Sequence, residues 1–433
     1  MSTMSSKDKS CLALLGGQPA LTSDPVGLFD WPIITREDEE AVLEVLRRGG
    51  MSGTDVTLQF ERELGEWFGL QYVLCHNTGT AAIQAAMYGC GIGVGDEVIC
   101  QSLTYWGSVL QVFSLGATVV FAEMNPETLT IDPTDIEHRI TSRTRAIVAV
   151  HLSSYPSEMA PIMEIAAKHD LKVIEDVSHA QGGLYKGQLL GTIGHVGAMS
   201  IMSGKSLVSG EGGFLITEDE KIYNRAVAFG HYSRTRTMSD PELAPFAGYP
   251  LGGYKYRMHQ LSSAVGRVQL RHYRHRLTEI QSAMIYFWEK LDGAPGIRAH
   301  MPPKNSGNEM GGFYSARGLY LSDELNGLPV DRFCEAVNAE IATGGFQVRP
   351  GTGVSAMHLH PVLNDADIYG HGKPTRIANS NRDLRQPLGS LPITESLDDR
   401  CFSVPWFKQN IPSVIDQYAT AFRKVAENAA DLL

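Results

Sequence analysis

Residues 172–180 read KVIEDVSHA, one unit of the alternation of apolar strands and helices that predicts the fold. Val173 and Ile174 are β-branched and apolar, as in a strand that is buried on both faces. Asp176 stands at the carboxyl end of that strand, where a buried carboxylate needs a partner because burial of an unpaired charge is costly. Two interpretations of Asp176 stay open on this segment alone: a cap or structural ion pair, and a carboxylate that holds a protonated ring nitrogen.

The same pattern of apolar strand and helix extends from about residue 40 to residue 230. The sequence predicts strands over 72–76, 97–101, 118–122, 146–152, 172–175, 196–202 and 213–217, and helices over 38–48, 57–67, 80–88, 106–113, 134–140, 162–169 and 221–228. Apolar strands separated by helices imply an α/β fold with a doubly wound, mostly parallel sheet. Ligands bind such sheets at the carboxyl ends of the strands, so polar residues just after a strand are candidates for function.

The pattern changes after about residue 260. The sequence predicts a long helix over 261–291, a strand over 317–321, and helices over 330–342 and 414–432, whereas 366–390 is polar and typical of an excursion over the surface. We therefore predict a large domain, with the N-terminal segment, over residues 1–275, and a smaller α+β domain over residues 276–433.

Composition and charge exclude several classes of protein. The 433 residues include 37 Lys and Arg against 48 Asp and Glu, a net charge of −11 with His neutral, which is unlike a general nucleic-acid binder. Six cysteines without CxxC spacing are typical of a reduced cytosolic protein. The apolar run from Leu12 to Leu15 is too short for a signal-peptide core, and no run approaches the roughly 18 residues that cross a bilayer. We expect a cytoplasmic protein that binds neither nucleic acid nor membrane.

Two further segments follow predicted strands. Residues 77–80, NTGT, lie between a strand and a helix, where free backbone amides favour an anion, although a ligand-free N-cap turn has the same sequence. Lys205 lies in a Ser/Gly loop with Ser200 and Gly204. Most lysines are solvated surface residues, but a lysine that such a loop partly desolvates can act as a nucleophile.

A phosphate site, a strand-end aspartate and a loop lysine are together the parts that pyridoxal phosphate requires. In this hypothesis Lys205 forms the Schiff base and Asp176 keeps the pyridine nitrogen protonated. Tyr105 follows the strand over 97–101 and is placed to stack on the ring, with ordinary aromatic packing as the alternative.

The sequence also resembles the DegT/StrS-type aminotransferases, which aminate keto-sugars and keto-cyclitols with pyridoxal phosphate. The motifs that carry the resemblance are TGTAA at 78–82, GVGDEVI at 93–99, PETLTID at 126–132, VHL at 150–152, VIED at 173–176 and YKYRM at 254–258, together with Ser200 and Lys205. The resemblance implies an aspartate-aminotransferase-like fold (fold type I) and a homodimer with shared active sites.

The resemblance also implies roles for individual residues. It makes Lys205 and Asp176 catalytic, and it assigns cofactor binding to Thr78, Gly79, Thr80, Tyr105, Asp176, His179, Ser200, Lys205 and Lys255. Lys255 stands where relatives often have an asparagine that reaches the phosphate of the neighbouring subunit. His358 matches a segment near the active site of relatives and is predicted to touch substrate. His358 and His360 have no third ligand in view, so no metal site is expected.

The resemblance implies an aminotransferase with glutamate or glutamine as donor and a keto-sugar, often nucleotide-linked, or a keto-cyclitol as acceptor. Such an enzyme would act in amino-sugar or secondary-metabolite biosynthesis, for example that of antibiotics. Relatives with histidine in place of Lys205 dehydrate sugars instead. Two alternatives stay open: elimination or decarboxylation of an amino acid, with Arg257 or Arg349 as the carboxylate-binding residue, and a non-catalytic regulatory homologue.

Overall fold

Strands and helices alternate through the first half of the computed structural model, which describes residues 10–22, 27–238 and 240–433. The strands in these ranges are β1 (Tyr72–His76), β2 (Glu97–Gln101), β3 (Thr118–Ala122), β4 (Thr144–Val150), β5 (Lys172–Asp176), β6 (Leu184–Tyr185), β7 (Gln188–Leu189), β8 (Val196–Ser200), β9 (Gly213–Thr217), β10 (Ile297–Ala299), β11 (Arg317–Tyr320) and β12 (Cys401–Ser403). The helices are α1 (Arg36–Arg47), α2 (Asp55–Phe68), α3 (Gly79–Gly89), α4 (Pro133–Arg139), α5 (Met159–Lys168), α6 (Glu220–Gly230), α7 (Gln260–Lys290), α8 (Val330–Glu340), α9 (Pro361–Asn364), α10 (Pro392–Glu395) and α11 (Pro412–Glu427).

Seven strands form the central sheet, in the order β1-β9-β8-β5-β4-β2-β3. β9 pairs antiparallel with both of its neighbours, and the other pairs in the sheet are parallel. The predicted mostly parallel, doubly wound sheet is confirmed. The bounds of β1, β2, β3 and β9 are those predicted, because each is a short apolar run between turn residues.

Alternate residues of each strand enter two separate apolar layers. In β1, Val73 and Cys75 pack with α2, α5 and α7, whereas Leu74 packs on the opposite face with α3 and α6. This alternation follows from the period of two along a strand. Both faces are therefore covered, and ligands can reach the sheet only at its edges and strand ends.

The helix predicted over 106–113 is wrong. Two short 3₁₀ turns, Trp106–Ser108 and Leu110–Leu115, take its place, with Val109 between them at a φ of −148°. The break lies beside a tertiary contact, since the Ser108 hydroxyl donates to the Asp176 carboxylate at 2.6 Å.

A third apolar cluster lies around the three-stranded antiparallel sheet β10-β11-β12, with α8, α11 and the second half of α7. Leu12, Leu21 and Leu28 also pack in this cluster, although the predicted domain division places the N-terminal segment with the first domain. The Glu340 carboxylate holds that segment by accepting from the backbone amides of Ala13 at 2.8 Å and Ala20 at 2.9 Å. The division at residue 275 stays a prediction.

All six cysteines are free. No helix within the described ranges is both long and apolar enough to cross a bilayer. Residues 1–9, which carry part of the N-terminal stretch used in the signal-peptide prediction, lie outside these ranges.

The excursion predicted over 366–390 covers the free edge of the sheet. The side-chain amide of Gln386 donates to the Phe121 carbonyl at 2.9 Å and accepts from the Phe121 N–H at 3.0 Å, as a neighbouring strand would. Arg376 is completely buried and donates to the Val119 carbonyl at 3.3 Å. The polar residues of this segment thus pair with the unpaired groups of edge strand β3, which otherwise would be open to association with other chains.

We predict that Gln386→Ala lowers the free energy of unfolding by about 2 kcal/mol or more, because it leaves the buried N–H and carbonyl of Phe121 without partners. Urea unfolding followed by circular dichroism measures the change. Gln409→Ala, at an exposed glutamine, is the matched control and should leave the midpoint unchanged. Equal midpoints for the two variants would contradict the edge-covering role of Gln386.

Candidate active site

A cavity of about 570 Å³ opens at the carboxyl ends of the parallel strands. Segments that follow β1, β2, β5 and β8 line it, as expected for a doubly wound sheet. Its walls include Thr78, Gly79, Thr80, Thr104, Tyr105, Trp106, Ser108, Asp176, His179, Ser200, Lys205, Tyr314, Ser315 and Gly353. The last three belong to the second half of the chain, so both halves build the cavity.

The start of α3 forms a cradle at one end of the cavity. Thr78 is the N-cap of this 11-residue helix, and its hydroxyl accepts from the Ala81 amide at 3.0 Å. Gly79 lies so close to Ser200 that a Cβ on it would be 2.5 Å from the Ser200 Cβ. The N-cap turn is thus formed, and because the N-terminus of α3 borders the cavity, the helix dipole favours an anion there.

Asp176 lines the cavity and is 3% exposed. Its carboxylate accepts from the Ser108 hydroxyl at 2.6 Å and from the Ser178 amide at 3.0 Å. Among the described residues no Lys, Arg or His comes within ion-pair distance of it. The structural ion pair that the sequence left open is thus not formed, and the carboxylate is free to hold a cation in the cavity.

Lys205 is the one lysine among the described residues that line the cavity. It is 7% exposed, and its Nζ lies 3.9 Å from the centre of the Tyr314 ring. Burial lowers the pKa of Lys205 to about 8, although the charge of Asp176 raises it in part. The Trp31 indole fixes the loop by donating to the Lys205 carbonyl at 2.7 Å. The amine is therefore poised between its charged and neutral forms near neutral pH.

His179 and Tyr105 flank the same space. The ring of His179 packs edge-on against Tyr314 at 4.7 Å, and its Nδ1 accepts from the Ser153 amide at 3.3 Å. Burial, with the charge of Lys205, holds the pKa of His179 well below its ordinary value. The imidazole is thus neutral with its proton on Nε2, which is a donor available to a ligand. Tyr105 is half-exposed and presents its ring at the cavity.

Eight of the ten predicted site residues are brought together in this cavity: Thr78, Gly79, Thr80, Tyr105, Asp176, His179, Ser200 and Lys205. Lys255 is exposed and does not line it. The segment of Lys255 nevertheless runs beside the cradle, because the Tyr256 carbonyl accepts from the Asn77 amide at 2.8 Å.

His358 is not placed in the cavity, and the predicted contact with substrate does not follow from its position. Its ring is completely buried, with Nδ1 2.7 Å from the Ser102 hydroxyl and Nε2 3.0 Å from the Glu395 carboxylate. The residue stands on a 3₁₀ turn, Met357–Leu359, where it connects the end of β2 to the chain near α10. Both ring nitrogens are used in the fold, so none is left for a ligand.

Several residues of the cavity have no signal in the sequence. Ser108 binds Asp176, and Tyr314 packs against Lys205 and His179, yet neither belongs to a local motif. Arg257 and Arg349, the two arginines that the sequence offered for a carboxylate, do not line this cavity. Arg257 lines a separate recess with Arg234, and Arg349 is exposed.

Comparison with known proteins agrees with the family resemblance of the sequence. The model of the DegT/DnrJ/EryC1/StrS aminotransferase family matches residues 32–399. A putative L-glutamine:3-amino-2,3-dideoxy-scyllo-inosose aminotransferase of Micromonospora echinospora is 33% identical over 60% of this chain, and a GDP-perosamine synthase of Caulobacter vibrioides is 32% identical over 78% of this chain. The alignments span 62% of the first relative, less than two thirds of its length, and 94% of the second.

A solved aminotransferase structure from Psychrobacter cryohalolentis superposes on this chain with a TM-score of 0.77 at 27% identity. The match covers 93% of this chain and 100% of that one. It confirms the predicted aspartate-aminotransferase-like fold.

We predict that in the cofactor-free protein Lys205 reacts with an amine-acylating reagent with a half-maximal rate near pH 8, because the neutral amine is the reactive form. An ordinary lysine has a pKa near 10.5. Peptide mass spectrometry from about pH 6 to about pH 11, a range that includes both pKa values, measures the acylation rate against pH. Asp176→Asn should move the midpoint to lower pH, since the Asp176 charge raises the Lys205 pKa. A midpoint near the ordinary value would show that the amine is not desolvated.

Proposed function

Since the chain belongs to the DegT/DnrJ/EryC1/StrS aminotransferase family, we propose that it is a pyridoxal-phosphate-dependent aminotransferase acting on a keto-sugar or keto-cyclitol. One observation carries this proposal: a desolvated lysine and a buried carboxylate without a cationic partner share one cavity with a helix N-terminus. Glutamate or glutamine would be the amino donor. The whole activity, its substrates and its assembly are part of the proposal.

The donor set of the cavity fits the cofactor. Asp176 lacks the cation that a buried carboxylate requires, and a protonated ring nitrogen would supply it. The cradle of Thr78, Gly79 and Thr80, with Ser200, would hold the phosphate. Tyr105 would cover one face of the ring, and His179 would donate from Nε2. When bound, pyridoxal phosphate supplies an electron sink for bonds made and broken at the amino-bearing carbon.

Lys205 would provide both the nucleophile and the proton carrier. Because its pKa is about 8, the free amine is present near neutral pH and can accept a proton at Nζ. The Tyr314 ring at 3.9 Å stabilises the ammonium form by a cation–π interaction, so Nζ can also hold that proton until it is returned. A histidine at this position could carry a proton but could not form the same covalent bond to a carbonyl.

Asp176 would hold the protonated ring nitrogen of the cofactor, because its own carboxylate is fixed in orientation. The Ser108 hydroxyl and the Ser178 amide orient the carboxylate from two sides. Asp176 would therefore present its carboxylate to the ring nitrogen in one orientation.

The acceptor would enter beside the aromatic rings of Tyr105 and Trp106. A recess of about 380 Å³ shares Thr104, Tyr105, Trp106, Gly353 and Val354 with the cavity and continues to Leu110, Met357 and Val362. Its apolar lining suits the carbon face of a sugar or cyclitol ring. The names of the two relatives refer to an amino-dideoxy-inosose and to GDP-perosamine, which are acceptors or products of these two classes.

A second copy of the chain would complete the site in a homodimer. Lys255 is exposed beside the cradle and is free to serve the phosphate site of a neighbouring copy as a point charge. The cytoplasmic location stays a prediction from the sequence. The retained pair of Lys205 and Asp176 argues against a non-catalytic homologue.

We predict that Lys205→Ala abolishes the visible absorbance band of the lysine-bound cofactor. It should lower amino transfer by about 10³-fold or more, because proton transfer alone contributes about 10²–10⁴-fold. Absorbance spectra and single-turnover rates measure these effects. Lys221→Ala, at an exposed lysine of α6, is the matched control. A wild-type protein that does not bind pyridoxal phosphate would overturn the proposed function.

We predict that glutamine or glutamate bleaches the cofactor band of the wild type, and that a keto-inositol or a nucleotide-linked keto-sugar restores it. Mass spectrometry of the aminated product identifies the acceptor across a panel of such compounds. Release of ammonia or carbon dioxide from the amino acid, without transfer, would instead indicate elimination or decarboxylation. Absence of any spectral response would indicate a non-catalytic homologue.

A further inference from the structure

Two tryptophans from opposite ends of the chain pack against each other beside the segments that carry Lys205 and Tyr314. Trp31 precedes α1, and Trp406 follows β12. Their ring centres are 5.5 Å apart, and the ring planes are inclined at 54°. Both side chains are partly buried, and neither lines the candidate cavity. Because 375 positions separate the two residues in the sequence, only the tertiary structure brings them together.

Each indole N–H binds a main-chain carbonyl next to a residue of the cavity or at that residue. Trp31 Nε1 donates to the Lys205 carbonyl at 2.7 Å. Trp406 Nε1 donates at 2.8 Å to the carbonyl of Gly312, which precedes Tyr314 by two positions. The rings of Trp406 and Tyr314 also meet edge-on, with their centres 5.7 Å apart. One aromatic pair therefore holds both segments whose side chains meet in the cavity.

The contact held in this way is the one between the Lys205 amine and the Tyr314 ring. Nζ lies 3.9 Å from the ring centre. Within the described ranges, the Trp31 indole is the one group that donates to the Lys205 carbonyl. A buried carbonyl that loses its donor carries a free-energy penalty, so the indole fixes the main chain from which the lysine side chain extends.

The chain on both sides of Trp31 is fixed as well. Phe29, two residues before it, packs edge-on against Tyr418 of α11 with the ring centres 5.9 Å apart. Ile33, two residues after it, accepts at its carbonyl from the Gln269 side chain of α7 at 3.1 Å. The indole thus projects from a segment that two long helices hold in place.

We propose that Trp31 is a positioning residue, whose indole, packed on Trp406, holds the Lys205 amine in its reactive position beside Tyr314. The inference rests on the proposed function for its effect on amino transfer. An amine that accepts a proton and later returns it has to occupy the same place in both steps, and a displacement of about 1 Å can cost about 10²-fold in rate. Trp31 does not line the cavity, so it acts through Lys205.

Several titratable groups face the amine that Trp31 holds. Burial lowers the pKa of Lys205 to about 8, and the Asp176 charge raises it in part. The neutral His179 imidazole and the Tyr314 ring lie on other sides of the cavity, and Glu211 lines it at an exposed position. A lysine released from its indole donor would gain water, so its pKa would rise toward the ordinary value of 10.5.

The first test compares Trp31→Phe with the wild type in the cofactor-free protein. The substitution keeps an aromatic ring against Trp406 and removes the indole N–H. The pH at which acylation of Lys205 is half-maximal should rise by about one unit or more, because the loosened amine is better hydrated. Peptide mass spectrometry measures this midpoint, and the readout does not depend on any amino transfer.

The second test uses the holoenzyme. The single-turnover rate constant for amino transfer from glutamate or glutamine to the cofactor should fall by about 10- to 100-fold in Trp31→Phe. The donor concentration that half-saturates this reaction should change by less than about twofold, because Trp31 does not line the cavity.

Trp67→Phe is the matched control. Trp67 of α2 is also partly buried, but within the described ranges its indole N–H has no acceptor. The same change of side chain there should alter neither the acylation midpoint nor the single-turnover rate. At position 31, 3-benzothienylalanine replaces the N–H by sulfur and keeps the shape of the ring. It should reproduce the effects of Trp31→Phe, and it carries the test if that variant does not fold.

An acylation midpoint that stays unchanged in both position-31 variants overturns the inference, whatever the rate of amino transfer. Equal effects of Trp31→Phe and Trp67→Phe also overturn it, since they would indicate a general loss of packing. If the midpoint rises in the position-31 variants but the wild type transfers no amino group, the positioning of Lys205 by Trp31 stands and the proposed function fails.

Discussion

The parallel pairing of β5 between β4 and β8 is the constraint on which the rest of the molecule depends. Its register places Asp176 beside Val150 on one side and beside Ala198 on the other, at the carboxyl edge of the sheet. Each neighbouring strand then delivers its following loop to the same edge. The cradle, the segment with Tyr105 and Trp106, and the Lys205 loop meet there because the hydrogen-bonded strands that precede them end at the same edge of the sheet.

The carboxyl edge of the sheet carries buried charged side chains that have no ion-pair partner in the described part of the chain. Asp176 and Lys205 are both almost fully buried, and neither has an oppositely charged partner within ion-pair distance in the described part of the chain. Arg317 of β11 is also buried, and in the described part of the chain its guanidinium donates to uncharged groups, the Thr352 carbonyl and the Ser315 hydroxyl. Buried unpaired charges are costly, and the three large apolar clusters supply the stability that sustains them. The pattern is that of a site built for a charged ligand.

Some polar residues elsewhere in the chain stabilise the fold and do not serve a ligand, although in the sequence they look like site residues. His358 uses both ring nitrogens to connect Ser102 with Glu395. Gln386 and Arg376 use their side chains to complete the edge strand β3. In each case the side chain makes its hydrogen bonds within the fold, which distinguishes a structural polar residue from one that is available to a ligand.

Local sequence patterns predicted the alternation of strands and helices, the four strand bounds that agree to the residue, and eight residues of the cavity. These features depend on neighbours in the chain: apolar runs set the strands, and the polar residues just after them must meet at the carboxyl edge. The three-dimensional structure was needed to find the break of the predicted helix at Val109, the burial of His358, the packing of Leu12 with the second half of the chain, and the place of Tyr314. These depend on contacts between distant segments, because whether a polar side chain is satisfied or left free is settled by what packs against it, and no local pattern records that.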